Sequence, residues 1–290
     1  MARLADMTGR VCVITGATRG IGRASAERLA ELGATLVLVA RRREDGVSVA
    51  RELPQPTGAP AAEVVTADLS SQRSIREAAE TILARHPRLH VLINNAGSVP
   101  RKRETTVDGL EMQFAVNHLA YFLLTNLLLD ALRAGAPSRI VNVSSGAHQG
   151  GTIDFGDLQS ERRYDPVRVY GRTKLANVLF TYELARRLRG TGVTANCLHP
   201  GVIATKLLAD YMNVPLVGGA IARTFGGSPA AGSETSVYLA ASPQVEGVTG
   251  KYFVERRETR SSRASYDEES QRRLWEVSAQ LTAPAGAARP

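Results

Sequence analysis

Thr15-Gly16-Ala17-Thr18-Arg19-Gly20-Ile21-Gly22 lies between an aliphatic run, Val11–Thr15, and a segment with helical spacing, Ile21–Leu32. Glycine at 16, 20 and 22 permits a tight strand-to-helix turn and lets helix pack closely on strand. The missing side chains also let a pyrophosphate approach the backbone, while the helix start offers it free N–H groups and a positive dipole end. A glycine-rich turn also occurs as plain structure. Its place, closing the first strand and opening the first helix, favours a nucleotide cradle.

Outward from this turn, short aliphatic runs alternate with helical patterns along most of the chain. The runs are Val11–Thr15, Thr35–Ala40, Glu63–Ala67, Val91–Asn94, Arg139–Ser144, Thr194–Leu198 and Tyr252–Val254. Segments with helical spacing include Ile21–Leu32, Ser71–Ala84, Leu110–Leu132 and Lys174–Leu188. Strands that are apolar without alternation are expected to be buried on both faces. The chain therefore reads as a single α/β domain over residues 1–281: a Rossmann-type, doubly wound sheet of seven mainly parallel strands with helices on both faces. Pro54–Pro60 reads as a loop, and the Ala/Pro-rich Thr282–Pro290 as a disordered tail. Two connections are unusually long, Gly146 to Pro166 and Val202 to Gly227. Such excursions serve as lids or binding loops, and 202–227 is the expected substrate lid.

Bulk properties narrow the function classes. The 290 residues carry a formal charge of +8 and are 43% hydrophobic, enough for a sizeable core. The basic residues are spread over helices without aromatic interleaving, so nucleic acid is not an expected partner. Cys12 and Cys197 are distant and lack metal or redox spacing, and Pro87 separates His86 from His90. No metal site is expected. No apolar stretch precedes the first strand, and Leu119–Leu132 is short and interrupted by Asn126 and Asp130, so a soluble cytoplasmic protein without a membrane span is expected.

Gly16, Gly20 and Gly22 follow the TGxxxGxG spacing of the short-chain dehydrogenase/reductase family, which the sequence resembles from here onward. Thr18, Arg19 and Ile21 complete the expected cradle. At the end of the second strand an acidic residue would accept hydrogen bonds from both ribose hydroxyls and repel a 2′-phosphate. Here Ala40 is followed by Arg41, Arg42 and Arg43, and Arg19 adds a cation from the turn. A guanidinium grips a phosphate through paired hydrogen bonds, so NADP(H) is expected in preference to NAD(H). Asp68, before Leu69, falls where family members bind the adenine ring, and equally suits the N-cap region of the next helix. Asn95, Ala96 and Gly97 belong to the NNAG motif, whose backbone the resemblance places near the cofactor. Pro200, Gly201 and Val202 match the PG motif beside the nicotinamide, with Thr205 expected to bond a phosphate or the carboxamide. His199 reads as a polar strand-end residue.

Tyr170 and Lys174 stand four residues apart, on one helix face. That spacing alone is commonplace. Ser145, 25 residues upstream at a strand end, and Asn117 complete the family's Asn-Ser-Tyr-Lys tetrad. Carbonyl reduction needs a proton for the alkoxide that develops as hydride arrives. A phenol near pKa 10 is a poor base for the reverse step, and a neighbouring ammonium favours phenolate. The resemblance gives Lys174 that role and the nicotinamide ribose, gives Ser145 the polarisation of the substrate oxygen, and gives Asn117 a water leading from Lys174 to solvent. Ser144 competes for the serine role, and the family's spacing favours Ser145.

Arg139–His148, Asp154–Tyr164, Lys174–Leu188 and Leu274–Ser278 resemble retinol-dehydrogenase-like reductases in particular. Thr18 and Thr173 depart from the Asn and Ser common in that branch. The implied partner is a small carbonyl or alcohol, and Leu207, Leu208, Tyr211 and Met212 suit an apolar one. A cofactor-binding sensor without turnover, or an epimerase or dehydratase, is the alternative. Family habit implies a homodimer or homotetramer through a four-helix contact of Leu110–Leu132 and Lys174–Leu188.

Overall fold

The computed structural model describes residues 4–56, 58, 60–203 and 227–284. Thr205 and nearly all of the expected lid lie outside the described residues. Among the described residues, eight strands form one sheet in the order β3-β2-β1-β4-β5-β6-β7-β8. They are β1 (Val11–Thr15), β2 (Thr35–Ala40), β3 (Glu63–Thr66), β4 (Val91–Asn94), β5 (Ser138–Val143), β6 (Val193–His199), β7 (Tyr252–Val254) and β8 (Arg257–Glu258). Strands β1 to β7 pair in parallel, and β8 alone runs antiparallel. The seven-strand expectation missed β8. This two-residue strand returns through a turn in which Glu255 and Arg256 have positive φ, and neither residue type announces that conformation.

The winding reverses beside β1, whose neighbours are β2 and β4. Crossovers leave on opposite sides there, opening a crevice at the carboxyl ends of the strands, where ligands bind in open α/β sheets. Helices α1 (Gly20–Glu31), α2 (Arg43–Glu52) and α3 (Gln72–Arg85) follow the first three strands. Next come α4 (Met112–Phe114), a π-helical turn (Ala115–Leu119) and α5 (Ala120–Ala134). Then follow α6 (Pro166–Arg187), α7 (Pro229–Ala241) and α8 (Glu268–Leu281). Apolar clusters fill both faces: one holds Val37, Leu92, Ile140 and Leu128, the other Ile14, Leu38, Ile93 and Val141. The continuous segment Met112–Ala134 is long and apolar enough to cross a bilayer, but 72% of its most apolar window is buried inside the protein, as in a core helix.

Helix α6 starts earlier than its motif residues suggest. Asp165 caps it by accepting from Val167 N and Arg168 N, and Pro166 occupies the first turn. Every residue from Val169 to Ala185 is buried. The chain's own α8 supplies much of that cover. Trp275 meets Phe122 and Phe180 edge-on and face-on, with ring centroids 4.9 and 5.8 Å away, and the Arg187 guanidinium lies 4.3 Å from its ring. Trp275 thus packs on both helices of the expected four-helix contact, α5 and α6. Thr282, assigned by sequence to the tail, is the buried C-cap of α8, and its hydroxyl bonds Ser278 O.

Candidate active site

The glycine turn is held from beneath by β4. Asn95 Nδ2 donates to Thr15 O at 3.0 Å and Gly16 O at 3.3 Å, and Thr15 Oγ1 accepts from Asn95 N and Ala96 N. Gly16 has φ +66°, and a Cβ there would stand 2.9 Å from Ala96 Cα. A Cβ at Gly22 would stand 2.3 Å from Gly16 O. Both positions therefore exclude side chains because the turn packs on itself and on the β4 end. Arg19 is the N-cap of α1 and makes no side-chain cap bond, and no acid sits in the first turn. The first N–H groups of α1 thus face the crevice without a side-chain acceptor, which suits a phosphate.

Gly16 N donates to Val39 O at 3.3 Å, bringing the end of β2 beside the turn. Arg41 is exposed there, and neither Arg41 nor Arg19 forms an ion pair among the described residues. Arg42 differs: its guanidinium makes a two-pronged contact with Asp45, Nε to Oδ2 at 2.8 Å and Nη2 to Oδ1 at 2.9 Å. Asp68 lies beyond β3, and its Oδ1 accepts from Ser70 N and Ser70 Oγ. Ser71, not Asp68, caps α3.

On the other side of the crevice, the two candidate serines separate cleanly. Ser144 is buried, and its hydroxyl donates to Lys174 O at 2.8 Å, a structural tie. Ser145 is half-buried, and its Oγ accepts only the weaker 3.2 Å bond from Ala147 N. Its oxygen keeps a proton to donate.

Lys174, on α6, is 2% exposed. Its Nζ donates to Val143 O at 2.9 Å and lies 5.5 Å from the Tyr170 ring centroid and 5.8 Å from that of Tyr121. Burial lowers its pKa from 10.5 to about 7, with no acid to offset the loss of water. Tyr121 OH donates to Ala96 O at 2.8 Å, so one ring both flanks the ammonium and props the NNAG loop.

Asn117 sits within the π-helical turn, the kind of helix irregularity that marks functional sites. Its Oδ1 accepts from Ser98 N at 2.7 Å, and its Nδ2 donates to Ser98 O and Thr173 Oγ1. Its carbonyl accepts from Asn177 Nδ2 at 2.9 Å. The side chain is thus a strut between the β4 loop and α6.

A family model described as short chain dehydrogenase matches residues 10–213, more than half of the chain. The chain belongs to the short-chain dehydrogenase family. Mouse retinol dehydrogenase 14 is 46% identical over 286 residues, covering 94% of this chain and 85% of that protein. Human retinol dehydrogenase 12 is 43% identical over 276 residues, covering 95% and 87%. Among solved structures, an uncharacterised Mycobacterium paratuberculosis protein superposes with a TM-score of 0.78 at 34% identity, covering 99% and 97%. An NADP complex of Pseudomonas aeruginosa RhlG superposes at 0.70 and 26% identity, covering 87% and 96%. The likeness is thus to the retinol-dehydrogenase-like branch, and the protein is a carbonyl/alcohol oxidoreductase.

In this short-chain dehydrogenase, Gly16, Gly20, Gly22, Asn95, Ala96, Gly97, Pro200 and Gly201 gather around the carboxyl ends of β1, β4 and β6. Ile21 packs toward α7, where a Cβ at Gly232 would meet it at 3.1 Å. Val202 is exposed at the crevice, and Gly227 N donates to its carbonyl at 2.8 Å. Sequence reasoning missed Thr15, Tyr121, His148, Asn177 and the Gly151–Gly171 contact. A Cβ at Gly151 would stand 2.5 Å from Gly171 O, so the loop after Ser145 rests directly on the α6 backbone beside Tyr170. A glycine right after the tyrosine was the available signal.

Proposed function

We propose that the protein reduces an apolar aldehyde or ketone, or oxidises the corresponding alcohol, with NADP(H) as the hydride carrier and Tyr170 as the proton carrier. The observation that carries this reading is the Tyr170–Lys174 pair: a buried ammonium, without an ion-pair partner among the described residues, beside the phenol ring. Bound NADPH supplies the hydride. Tyr170 gives its proton to the alkoxide oxygen as it forms, and the nearby Lys174 favours the phenolate left behind. A phenolate would in turn favour the charged form of Lys174. Ser145 donates a hydrogen bond to the same substrate oxygen, where charge develops in the transition state.

Gly16, Gly20 and Gly22 with the α1 N-terminus would hold the pyrophosphate. Arg19 and Arg41 would take the 2′-phosphate, their guanidinium groups having no competing carboxylate among the described residues. Asn95 acts beneath the cradle, fixing its shape. The relatives' names supply the substrate class, and exposed Val202 beside the crevice suits it.

Tyr170→Phe tests the reading. NADPH oxidation with retinal and medium-chain aldehydes should fall at least about 1,000-fold, while NADPH fluorescence titration gives an unchanged Kd. Surviving turnover would refute the role of Tyr170. A cofactor sensor would have no turnover to lose.

A further inference from the structure

Ser145 and Gly146 share one peptide group, and two histidines from distant parts of the chain hold its two ends. His148 Nδ1 lies 2.7 Å from Ser145 O, while its Nε2 accepts from Ser262 N at 3.1 Å. A backbone N–H only donates, so the proton of the His148 ring sits on Nδ1 and is given to the Ser145 carbonyl. On the opposite side of the same peptide, His199 Nδ1 accepts from Gly146 N at 3.1 Å. Its neutral ring therefore carries the proton on Nε2. One peptide is clamped by an Nδ1–H donor and an Nδ1 lone pair.

The clamp also links Ser145 to the helix of Tyr170. Ser262 belongs to a buried turn in which Ser261 Oγ bonds both Tyr182 OH and Ser265 Oγ at 2.6 Å. Tyr182 stands on α6, three turns beyond Tyr170. Serine and tyrosine are thus tied to one C-terminal anchor, although 25 residues separate them in sequence.

We propose that His148 and His199 are positioning residues, which aim the Ser145 hydroxyl at the substrate oxygen by holding the Ser145–Gly146 peptide as neutral rings of opposite tautomer. The proposal rests on the Ser145 and Tyr170 reading above, but the clamp itself is readable without turnover. Protonating His199 would turn an N–H toward Gly146 N–H, and protonating His148 would do the same toward Ser262 N–H. Each change replaces an accepted hydrogen bond by two opposed donors. Burial holds both rings below the ordinary imidazole range. His148 packs on the Tyr252 ring, with centroids 4.7 Å apart, and faces His199, whose other charged neighbour is Glu255 on the β7–β8 turn. Desolvation and then His148 disfavour a protonated His199, and together they outweigh Glu255, which favours it. The clamp is therefore closed at neutral pH and opens in acid.

Long-range ¹H–¹⁵N correlation on histidine-labelled protein at pH 7.5 reads the tautomers, with single-histidine variants giving the assignments. Nδ1–H at His148 and Nε2–H at His199 are expected; the reverse at either ring overturns the clamp. Kinetics read the positioning role. His199→Leu should lower kcat about tenfold or more, the scale of a small misplacement, with NADPH Kd unchanged. His199→Asn returns an acceptor that does not titrate, so it should recover most of that loss and shift the acid limb of the kcat–pH profile downward. Equal defects in the Leu and Asn variants, or an acid limb unmoved by Asn, would overturn the positioning role. Absent wild-type turnover would overturn the catalytic reading and this role with it, leaving the tautomers to judge the geometry alone.

Discussion

Lys174→Met should abolish turnover and stabilise the fold at once. The Lys174 ammonium is buried, hydrogen-bonded to Val143 O at 2.9 Å, and its pKa falls from 10.5 to about 7 through loss of water alone. At about 1.4 kcal/mol per pH unit, holding the charge inside the fold costs roughly 5 kcal/mol at pH 7 or below. Methionine fills similar space without charge but leaves the Val143 carbonyl without that donor, a loss of about 1–3 kcal/mol. The net expectation is a gain of about 2–4 kcal/mol. In a chain of this size, each kcal/mol moves Tm by about 2 °C, so the rise should be about 4–8 °C.

The pH dependence separates this account from a generic packing gain. Lys174 in the unfolded chain keeps a pKa near 10.5, while the folded value is about 7. Between those values the unfolded state binds more protons, so wild-type stability rises with pH. The cost is complete below the folded pKa and vanishes above the unfolded one. The stability gap between Lys174→Met and wild type should therefore be widest at pH 6–7 and close toward pH 10. Thermal or urea unfolding of both proteins at pH 6.5, 8 and 9.5, beside steady-state assays at pH 7.5, tests it. A variant less stable than wild type at pH 6.5, or a gap independent of pH, would refute the idea of a desolvated ammonium beside Tyr170.

Arg41→Glu should raise the KM for NADPH about 10- to 100-fold, the weight of a charge-assisted hydrogen bond, and improve use of NADH; Arg42→Ala should do less, because Arg42 is already engaged with Asp45. The wild type should be a monomer by light scattering, and Trp275→Ala should lose about 3–5 kcal/mol and self-associate as Phe122 and Phe180 become uncovered. Gly151→Ala should destabilise by about 1–3 kcal/mol and lower kcat, since its methyl would meet Gly171 O, while NADPH affinity at the distant glycine turn stays unchanged.

The sheet was legible because its strands are buried on both faces and read as unbroken aliphatic runs. Val11–Thr15, Thr35–Ala40, Val91–Asn94 and Tyr252–Val254 coincide with β1, β2, β4 and β7. Helix α2 is masked in the sequence by its arginines and acids, whereas the early start of α6 is readable from the Asp165-Pro166 cap. Glycine turn, tyrosine and lysine were legible because local spacing fixes what they do. The supports were not. Tyr121 reaches Ala96, His148 reaches Ser262 and His199 reaches Gly146, contacts spanning 25, 114 and 53 residues. No local period encodes such pairings, and each residue taken alone reads as ordinary core or strand-end chemistry.

Burial of α6 links these threads. A helix enclosed from Val169 to Ala185 needs cover on its outer side, and α8 provides it through Trp275 and Leu274. On its inner side the same enclosure strips water from Lys174, which leaves Val143 O and two aromatic faces to hold the ammonium. A solvated lysine would keep its proton near pH 7 whatever Tyr170 did. Burial instead brings the lysine pKa down to about 7. Enclosure of α6 on both sides thus places the Lys174 ammonium in low-dielectric surroundings beside the Tyr170 ring.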